Sequence, residues 1–278
     1  MSKRREVKER LGTLDEINGI MNAMKNLALL ETRKLAVFLS TQRRAVSSIE
    51  AAAQDFLSFH PPNATPATAL QHVWIMIGSE RGFCGDFNES LVQTLNANQP
   101  QENTLLLTIG NKLETKCQND TRITAFIEGH SVVEEVQLTL LRLTEVLNKL
   151  PHIDSVSAIY YDDATDEIRR RQLLPLTTPT KKPTDSHPPQ LNLQPAEFLS
   201  QLTDQYLYAV LHEVFYSAFM VENRMRQAHM DKAIQRLEKD ESALRLRYNR
   251  LRQEEITEEI EIIMLSVEAL SMQMINHA

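Results

Sequence analysis

Residues 236–270 read RLEKDESALRLRYNRLRQEEITEEIEIIMLSVEAL, without a proline or a glycine, and neither residue type occurs anywhere after Pro195. At the other end of the chain no proline precedes Pro61, and the only glycines before it are Gly12 and Gly19. Because proline and glycine are the residues that interrupt helices, this distribution predicts two long terminal helices around a central region. Helices of this length cannot be buried in a globular core, so we expect them to pack on each other or inside a partner.

Apolar residues near the C-terminus recur alternately four and three residues apart, which is the spacing of a coiled coil. The members of this series are Ile256, Ile260, Ile263, Val267, Leu270 and Met274. Leu244, Tyr248 and Leu251 follow the same rhythm upstream, but the phase changes by one residue between Leu251 and Ile256. Two interpretations stay open. The change either alters the local winding and turns polar side chains toward a partner, or is a register adjustment without consequence.

The N-terminal segment carries a matching apolar series, which predicts one face of a second coiled-coil helix. Its members are Val7, Leu11, Leu14, Ile17, Met21, Met24, Ala28, Leu35 and Phe38. This helix should end near Phe59, since His60 precedes two prolines and a residue before proline is biased away from the helical conformation.

The middle of the chain alternates short apolar runs with amphipathic segments, a pattern typical of a mainly parallel sheet with helices on its faces. Strands are expected at 73–77, 105–109, 123–127, 156–161 and 168–174, and helices at 87–95, 111–118 and 132–150. The last two strands should form a hairpin around residues 162–165.

The predicted fold is a long antiparallel coiled coil of the N- and C-terminal helices with an inserted α/β (Rossmann-like) domain. We divide the chain into a coiled-coil helix over 1–59, the α/β domain over 69–176, a proline-rich linker over 177–198 and a second coiled-coil helix over 199–278.

The charge distribution does not fit a general nucleic-acid binder, which would show a concentrated basic face. The formal net charge is −7, with ten lysines and arginines against seven acidic residues in 1–57 and nine against twelve in 205–278. We interpret these charges as solvated helix faces. Two cysteines are too few for a disulfide framework or a zinc site and suggest a reducing compartment. No apolar run is long enough to span a bilayer, and we expect no secretory signal or transit peptide.

Three segments together resemble one family, the gamma subunit of F-type ATP synthases. Residues 20–28, IMNAMKNLA, followed by Arg33 and Lys34, are similar to the family's N-terminal Ile-Thr-Lys-Ala-Met stretch and basic pair. Residues 79–88, SERGFCGDFN, resemble its Ser-Asp-Arg-Gly-Leu-Cys-Gly-Gly-Leu-Asn signature. The third segment starts at Glu222 and Arg226 and continues through residues 248–259, YNRLRQEEITEE, which resemble Tyr-Asn-Lys-Ala-Arg-Gln-Ala-Ala-Ile-Thr. In this order the three cover essentially the whole chain.

Several positions depart from the family pattern, so the resemblance is to a divergent member. Asp86 stands in place of the second glycine of the signature, Glu254 and Glu255 replace two small residues, and Ser266 stands where the family often has glycine. These departures leave open an accessory, sodium-translocating F-type ATPase as an alternative to a proton-coupled housekeeping enzyme.

The resemblance implies a non-catalytic rotor subunit of the central stalk, which couples ion flow through a membrane ring to ATP synthesis or hydrolysis. The implied partners are the alpha and beta subunits of the catalytic hexamer, an epsilon-type stalk subunit and the membrane c-ring, without nucleic acid or a small-molecule substrate. The implied location is peripheral, on the cytoplasmic face of the bacterial inner membrane. No cofactor or metal is expected.

The resemblance also implies roles for individual residues. Arg252, Gln253 and Thr257 match positions that contact a loop of the catalytic subunit, called here the catch loop. Met24, Arg33 and Lys34 are expected on the rotor face that passes acidic segments of that subunit. An apolar bearing is expected at Ile260, Ile263, Val267, Leu270 and Met274.

Two other functions are compatible with the residues alone. Cys84 could be a thiol nucleophile if His60, His72 or His130 supplied a base. We favour a tight strand-to-helix turn that needs Gly82 and Gly85, with Cys84 filling a small apolar gap. The second alternative is a non-rotary helical scaffold whose α/β domain binds a ligand at the carboxyl ends of its strands.

Overall fold

The structure is a computed structural model that describes residues 3–61, 71–98, 100, 103–118, 120–150, 153–176 and 190–276, with side chains to 267 in the last helix. The helices are α1 (Lys3–Phe59), α2 (Phe87–Asn98), α3 (Asn111–Cys117), α4 (Val136–Lys149) and α5 (Pro195–Asn276). The strands are β1 (Gln71–Ile77), β2 (Thr104–Ile109), β3 (Ile123–Ile127), β4 (Ile153–Asp162) and β5 (Glu167–Leu174). Every strand and helix predicted from the sequence is therefore confirmed.

The described residues form two compact units, and both contain a part of α1 and a part of α5. One unit comprises Met1–Asn26 with Met230–Ala278, and the other comprises Leu27–His229. In the first unit Arg4 bonds Glu255 at 2.8 Å, and Lys25 forms an ion pair with Asp231. Residues near the start of α1 thus lie beside residues far along α5, so the two helices are antiparallel in this unit.

The antiparallel arrangement also holds within the second unit. The Gln227 side-chain amide donates to Thr32 Oγ1 at 2.9 Å, and the Gln42 amide donates to the Ala209 carbonyl at 2.8 Å. Nearer the end of α1, the rings of Phe56 and Phe198 lie 4.8 Å apart. The predicted pairing of the two long helices is therefore confirmed.

Burial along α1 follows one strict series of alternating four- and three-residue steps from Val7 to Phe56, which we call the seam. Its members are buried or half-buried: Val7, Leu11, Leu14, Asn18, Met21, Lys25, Ala28, Thr32, Leu35, Leu39, Gln42, Val46, Ile49, Ala53 and Phe56. The sequence prediction was wrong at Ile17 and Phe38, which are 40% and 48% exposed. Asn18 and Leu39 hold the seam positions beside them, because the period of the contact is fixed by the partner helix rather than by hydrophobicity.

The phase change predicted on α5 coincides with the last seam residue. The seam on this helix passes through Leu244, Tyr248 and Leu251 to Glu255, all of which are half-buried. Ile256, the first residue of the new phase, is 44% exposed. The series that begins at Ile256 therefore lies outside the contact with α1.

The sheet has the strand order β3-β2-β1-β4-β5, and all neighbours are parallel except the β4–β5 hairpin. One face is covered by α2 and α3 and packs around Trp74, Met76 and Phe87. The other face packs against α4 and α5 around Ile75, Leu107 and Phe215. The mainly parallel α/β arrangement expected from the sequence is confirmed.

The last helix begins at Pro195, four residues before the predicted boundary at 199. Proline is well suited to the first turn of a helix, because its fixed φ is helical and its missing N–H has no partner there in any case. The Phe198 N–H donates to the Gln194 carbonyl at 2.9 Å and closes this turn. Most of the predicted linker, residues 177–189, lies outside the described residues.

We expect Phe215→Ala to lower the free energy of unfolding by about 3–5 kcal/mol, because it removes a fully buried ring and leaves a cavity. Urea unfolding followed by circular dichroism measures this loss. Phe38→Ala is the matched control, with an expected loss of about 1 kcal/mol or less since that ring is 48% exposed. Equal losses in the two variants would contradict the packing described here.

Candidate functional site

The loop between β1 and α2 is a tight turn closed by side-chain hydrogen bonds. The Ser79 N–H donates to Asn88 Oδ1 at 3.0 Å, and Asn88 Nδ2 donates to Ser79 Oγ at 2.8 Å. Phe83 and Gly85 have positive φ angles of 64° and 67°. The predicted turn and the need for Gly85 are confirmed. The expectation at Gly82 was wrong, since a Cβ there would meet only Lys112 Cε, at 3.8 Å, and Phe83 adopts the left-handed conformation instead.

Cys84 is buried in this turn in a setting that disfavours a thiolate. Its sulfur donates to Ser79 Oγ at 3.4 Å and to the Arg81 carbonyl at 3.8 Å. Burial raises the pKa of the Cys84 thiol. A reactive cysteine needs the opposite, a lowered pKa beside a positioned base. The three histidines proposed as bases contact other groups: His60 stacks on Phe56, His72 bonds Ser155, and His130 packs on Phe215 and Phe219.

A buried ion pair on α5 holds the same turn in place. The Arg226 guanidinium donates to the Gly82 carbonyl at 3.2 Å, to the Arg81 carbonyl at 3.3 Å and to Asn223 Oδ1 at 3.1 Å. It also pairs with Glu222 one helical turn earlier. Burial raises the pKa of Glu222 to about 7, against the lowering effect of Arg226. This cluster fastens the turn after β1 to α5 through directional bonds.

The non-rotary scaffold alternative predicts a ligand site at the carboxyl edge of the sheet. A carboxylate of the chain itself bridges this edge. Glu80 Oε2 accepts hydrogen bonds from the backbone N–H of Asn111 at 3.1 Å and of Gly129 at 2.8 Å. The Asn111 side-chain amide donates to Glu80 Oε1. Backbone N–H groups at this edge commonly bind anionic ligands in open α/β folds. Here Glu80 already accepts two of them.

His130 follows β3 and is buried with no hydrogen-bond partner on either ring nitrogen among the described residues. Its ring lies 4.6 Å from that of Phe219 and 5.7 Å from that of Phe215. Burial lowers the pKa of His130 to about 4. The imidazole is therefore neutral near pH 7 and acts as an aromatic core residue.

The residues expected at the catch loop lie on α5 beside the end of the seam. The side chains of Arg252, Gln253 and Thr257 are all exposed. Thr257 Oγ1 donates to the Gln253 carbonyl at 2.9 Å, a bond within the helix. The guanidinium of Arg252 and the amide of Gln253 remain accessible to a partner.

The three residues expected on the rotor face differ in their surroundings. Met24 is half-buried and Arg33 is exposed. The Lys34 ammonium donates to Glu134 at 2.8 Å and to Glu31 at 3.0 Å, and these bonds raise the pKa of Lys34. Two carboxylates of its own chain therefore already contact Lys34, whereas the charge of Arg33 is open to solvent.

The expected bearing residues are exposed wherever the structure describes them. Ile260, Ile263 and Val267 have exposed fractions of 53%, 60% and 59%. The side chains of Leu270 and Met274 lie outside the described residues. Apolar side chains this exposed on successive turns of one helix are typical of surfaces that are covered by a partner, and also of surfaces that aggregate.

Within the described part of the chain, no cluster of three or more histidine, cysteine or acidic side chains is arranged to hold a metal ion. None of the helices searched there is apolar enough over a sufficient length to cross a bilayer.

A family model described as ATP synthase matches residues 3–270. The chain belongs to the ATP synthase gamma chain family. A gamma chain is the non-catalytic rotor subunit of the central stalk of an F-type ATP synthase, and this confirms the function predicted from the sequence. It also agrees with the buried, non-nucleophilic setting of Cys84.

Relatives share this assignment over nearly their full length. The ATP synthase gamma chain of Clostridium botulinum strain Langeland is 23% identical over 274 residues, which cover 95% of this chain and 96% of the relative. That of Mycoplasmoides gallisepticum is 22% identical over 282 residues, covering 94% and 97%.

Two solved structures have a similar fold. A rotor chain of the Euglena gracilis mitochondrial ATP synthase aligns with a TM-score of 0.63 at 15% identity, covering 91% of this chain and 98% of that one. A central stalk and c-ring structure from Tetrahymena thermophila gives 0.57 at 16%, covering 77% and 99%.

The contacts that organise this region were not predicted from the sequence. Arg226 and Glu222 entered the prediction only as parts of the family resemblance, and the contacts of Glu80 and the burial of His130 were not predicted. The i,i+4 spacing of Glu222 and Arg226, directly after the apolar residues 218–221 of α5, was the available signal, since a buried charge requires a partner.

We expect Arg226→Met to lower the free energy of unfolding by about 3–5 kcal/mol, because it leaves Glu222 buried without its counter-ion. Adding Glu222→Leu should recover most of that loss, since the double variant buries no charge. Urea unfolding at pH 8 compares the three proteins. A cost below about 1 kcal/mol for Arg226→Met alone would show that the ion pair does not hold the turn.

His130 should make stability depend on acid pH. The unfolded chain binds a proton near pH 6.5, but the folded protein binds it only near pH 4. The free energy of unfolding that depends on a neutral His130 therefore has its full value above about pH 6.5. It is lost as the pH falls through about 4. We expect the stability of His130→Leu relative to wild type to rise by about 3 kcal/mol between pH 7 and pH 4. A pH profile of stability for His130→Leu that runs parallel to that of the wild type would contradict the assignment.

Proposed function

We propose that this chain is the turning axle that couples ion flow through a membrane ring to ATP synthesis or hydrolysis on an alpha–beta hexamer. The observation that best supports this role is that the contact between α1 and α5 stops before α5 ends. Glu255 pairs with Arg4, near the start of α1, while α5 continues to Asn276. Beyond this pair α5 exposes apolar side chains that the described part of α1 does not cover, as an axle that enters a partner requires.

An axle of two unequal helices is asymmetric, and this asymmetry would make the three catalytic sites differ from one another. In a ring of three catalytic pairs it presents a different face to each pair. A conformation of a catalytic site is stabilised only by contacts that differ between conformations. Three sites that touch different faces would therefore differ in nucleotide affinity, and rotation would exchange them.

We assign the catch-loop contact to Arg252 and Gln253, with Thr257 one turn further along α5. A guanidinium and an amide supply several hydrogen-bond donors, and the two side chains are exposed on adjacent positions. We assign the passing contact with acidic segments of the catalytic subunit to Met24 and Arg33. Lys34 is kept in this surface as a weaker member, since its ammonium already contacts Glu31 and Glu134.

This role implies particular partners and a particular location for the chain. The partners are the alpha and beta subunits, an epsilon-type stalk subunit and the c-ring, and the enzyme is peripheral on the cytoplasmic face of a bacterial inner membrane. The bacterial relatives support the location, and the similar rotor and c-ring structures of two mitochondrial ATP synthases support the partners. We also keep the division into a helix over 1–59, a domain over 69–176 and a linker that starts at 177, but we move the start of the last helix from 199 to Pro195.

The double variant Arg252→Ala, Gln253→Ala tests the catch-loop contact. It should lower ATP-driven ion pumping of the assembled enzyme about tenfold, since hydrogen bonds to charged groups contribute about 1.5–3 kcal/mol. The helicity of the isolated chain should not change, because both side chains are exposed. Pumping in membrane vesicles and circular dichroism measure the two quantities.

Arg247→Ala with Asn249→Ala is the matched control, since it removes the same kinds of group from exposed positions of α5. Normal pumping in the Arg252 and Gln253 variant would refute the catch-loop assignment. Failure of the wild-type chain to purify with alpha and beta subunits, at about one copy per three pairs, would refute the axle itself.

A further inference from the structure

The segment of α5 beyond the seam combines apolar and acidic side chains without any basic residue. No lysine or arginine follows Arg252 in the sequence. Six glutamates do follow it, at Glu254, Glu255, Glu258, Glu259, Glu261 and Glu268. Like charges four residues apart on a helix destabilise it by about 0.2–0.5 kcal/mol per pair. The sequence therefore places like charges close together along this segment, with no basic residue after Arg252 among them.

Apolar side chains surround the helix axis between residues 260 and 267. The exposed ones in this interval are Ile260, Ile262, Ile263, Met264, Leu265 and Val267, with exposed fractions of 53–67%. At about 100° per residue they point in all directions around the axis rather than to one side. A helix that is apolar on every side is covered on every side in its working state. The partner of this segment must therefore encircle it.

Glutamates lie within the segment 260–267 and in the two helical turns before it. Glu261 stands between the directions of Met264 and Leu265, and Glu254 and Glu258 share its stripe at the spacing i, i+4, i+7. Among the residues that the structure describes, none forms an ion pair with Glu254, Glu258 or Glu261. A partner that covers the apolar residues on both sides of Glu261 also removes this carboxylate from water. A buried carboxylate is tolerated when it is paired.

We propose that the collar of alpha and beta subunits around this segment carries lysine or arginine side chains opposite Glu254, Glu258 and Glu261, next to the apolar surface that covers Ile260–Val267. This inference rests on the proposed function, and it adds the charge of the partner surface. Along α5 the collar then faces the positive charge of Arg252 first, and after it the negative charges of the three glutamates.

The test uses the chain produced together with the alpha and beta subunits of its own organism and purified as a complex at 50 mM NaCl. The variant is Glu254→Gln, Glu258→Gln, Glu261→Gln. The fraction of chain released from the complex is measured after dilution into 50–500 mM NaCl. We expect about tenfold weaker retention at low salt, from three ion pairs that each contribute a factor of about two to three. The difference from wild type should vanish at high salt, because salt screens the pairs.

The control variant Glu6→Gln, Asp15→Asn, Glu16→Gln changes the net charge equally at exposed positions of α1. Its retention should follow that of the wild type at every salt concentration. Unchanged retention of the stripe variant would overturn the inference, as would tighter binding, which would indicate an acidic or uncharged collar. In both cases the wild-type complex still forms, so the proposed function stands. A wild-type chain that does not purify with the alpha and beta subunits would refute that function instead.

Discussion

The antiparallel contact between α1 and α5 is the constraint on which the other features depend. Each helix contributes one series of residues at alternating steps of four and three, and several members of these series are polar. Thr32 bonds Gln227, Gln42 bonds the Ala209 carbonyl, and Lys25 pairs with Asp231. Polar residues at seam positions specify which residues lie opposite each other, at some cost in stability. The register of the two helices is thus set by hydrogen bonds as well as by apolar packing.

Hydrogen bonds also set the position of α5 relative to the turn after β1. Apolar packing alone tolerates small rotations of a helix, whereas the bonds of Arg226 to the carbonyls of Arg81 and Gly82 do not. Within that compact unit, the strand, the turn and the helix therefore move together. Torque applied to α5 within this unit would therefore reach the sheet through these bonds as well as through apolar packing.

The sequence was sufficient for the fold, because its signals are local and repeated. The absence of proline and glycine predicted both long helices, and the short apolar runs at 73–77 and 105–109 predicted buried strands. The errors at Ile17 and Phe38 have one cause. Their neighbours Asn18 and Leu39 keep the period of the seam, and only the partner helix reveals that the polar Asn18 is preferred there. The contacts of Glu80 were beyond prediction for a similar reason, since they join residues that follow three different strands of the sheet. The catch-loop residues came from resemblance alone, because exposed polar side chains leave no periodic signal, whereas the bearing residues also showed the four-and-three spacing.

The extension of α5 past Glu255 has a consequence for the life of the chain before assembly. A freshly made subunit carries a band of isoleucine, leucine and valine in water, and such a band invites self-association and proteolytic cleavage. Covering this band in an assembly takes it out of water, so an unassembled copy is less protected from both processes than an assembled one.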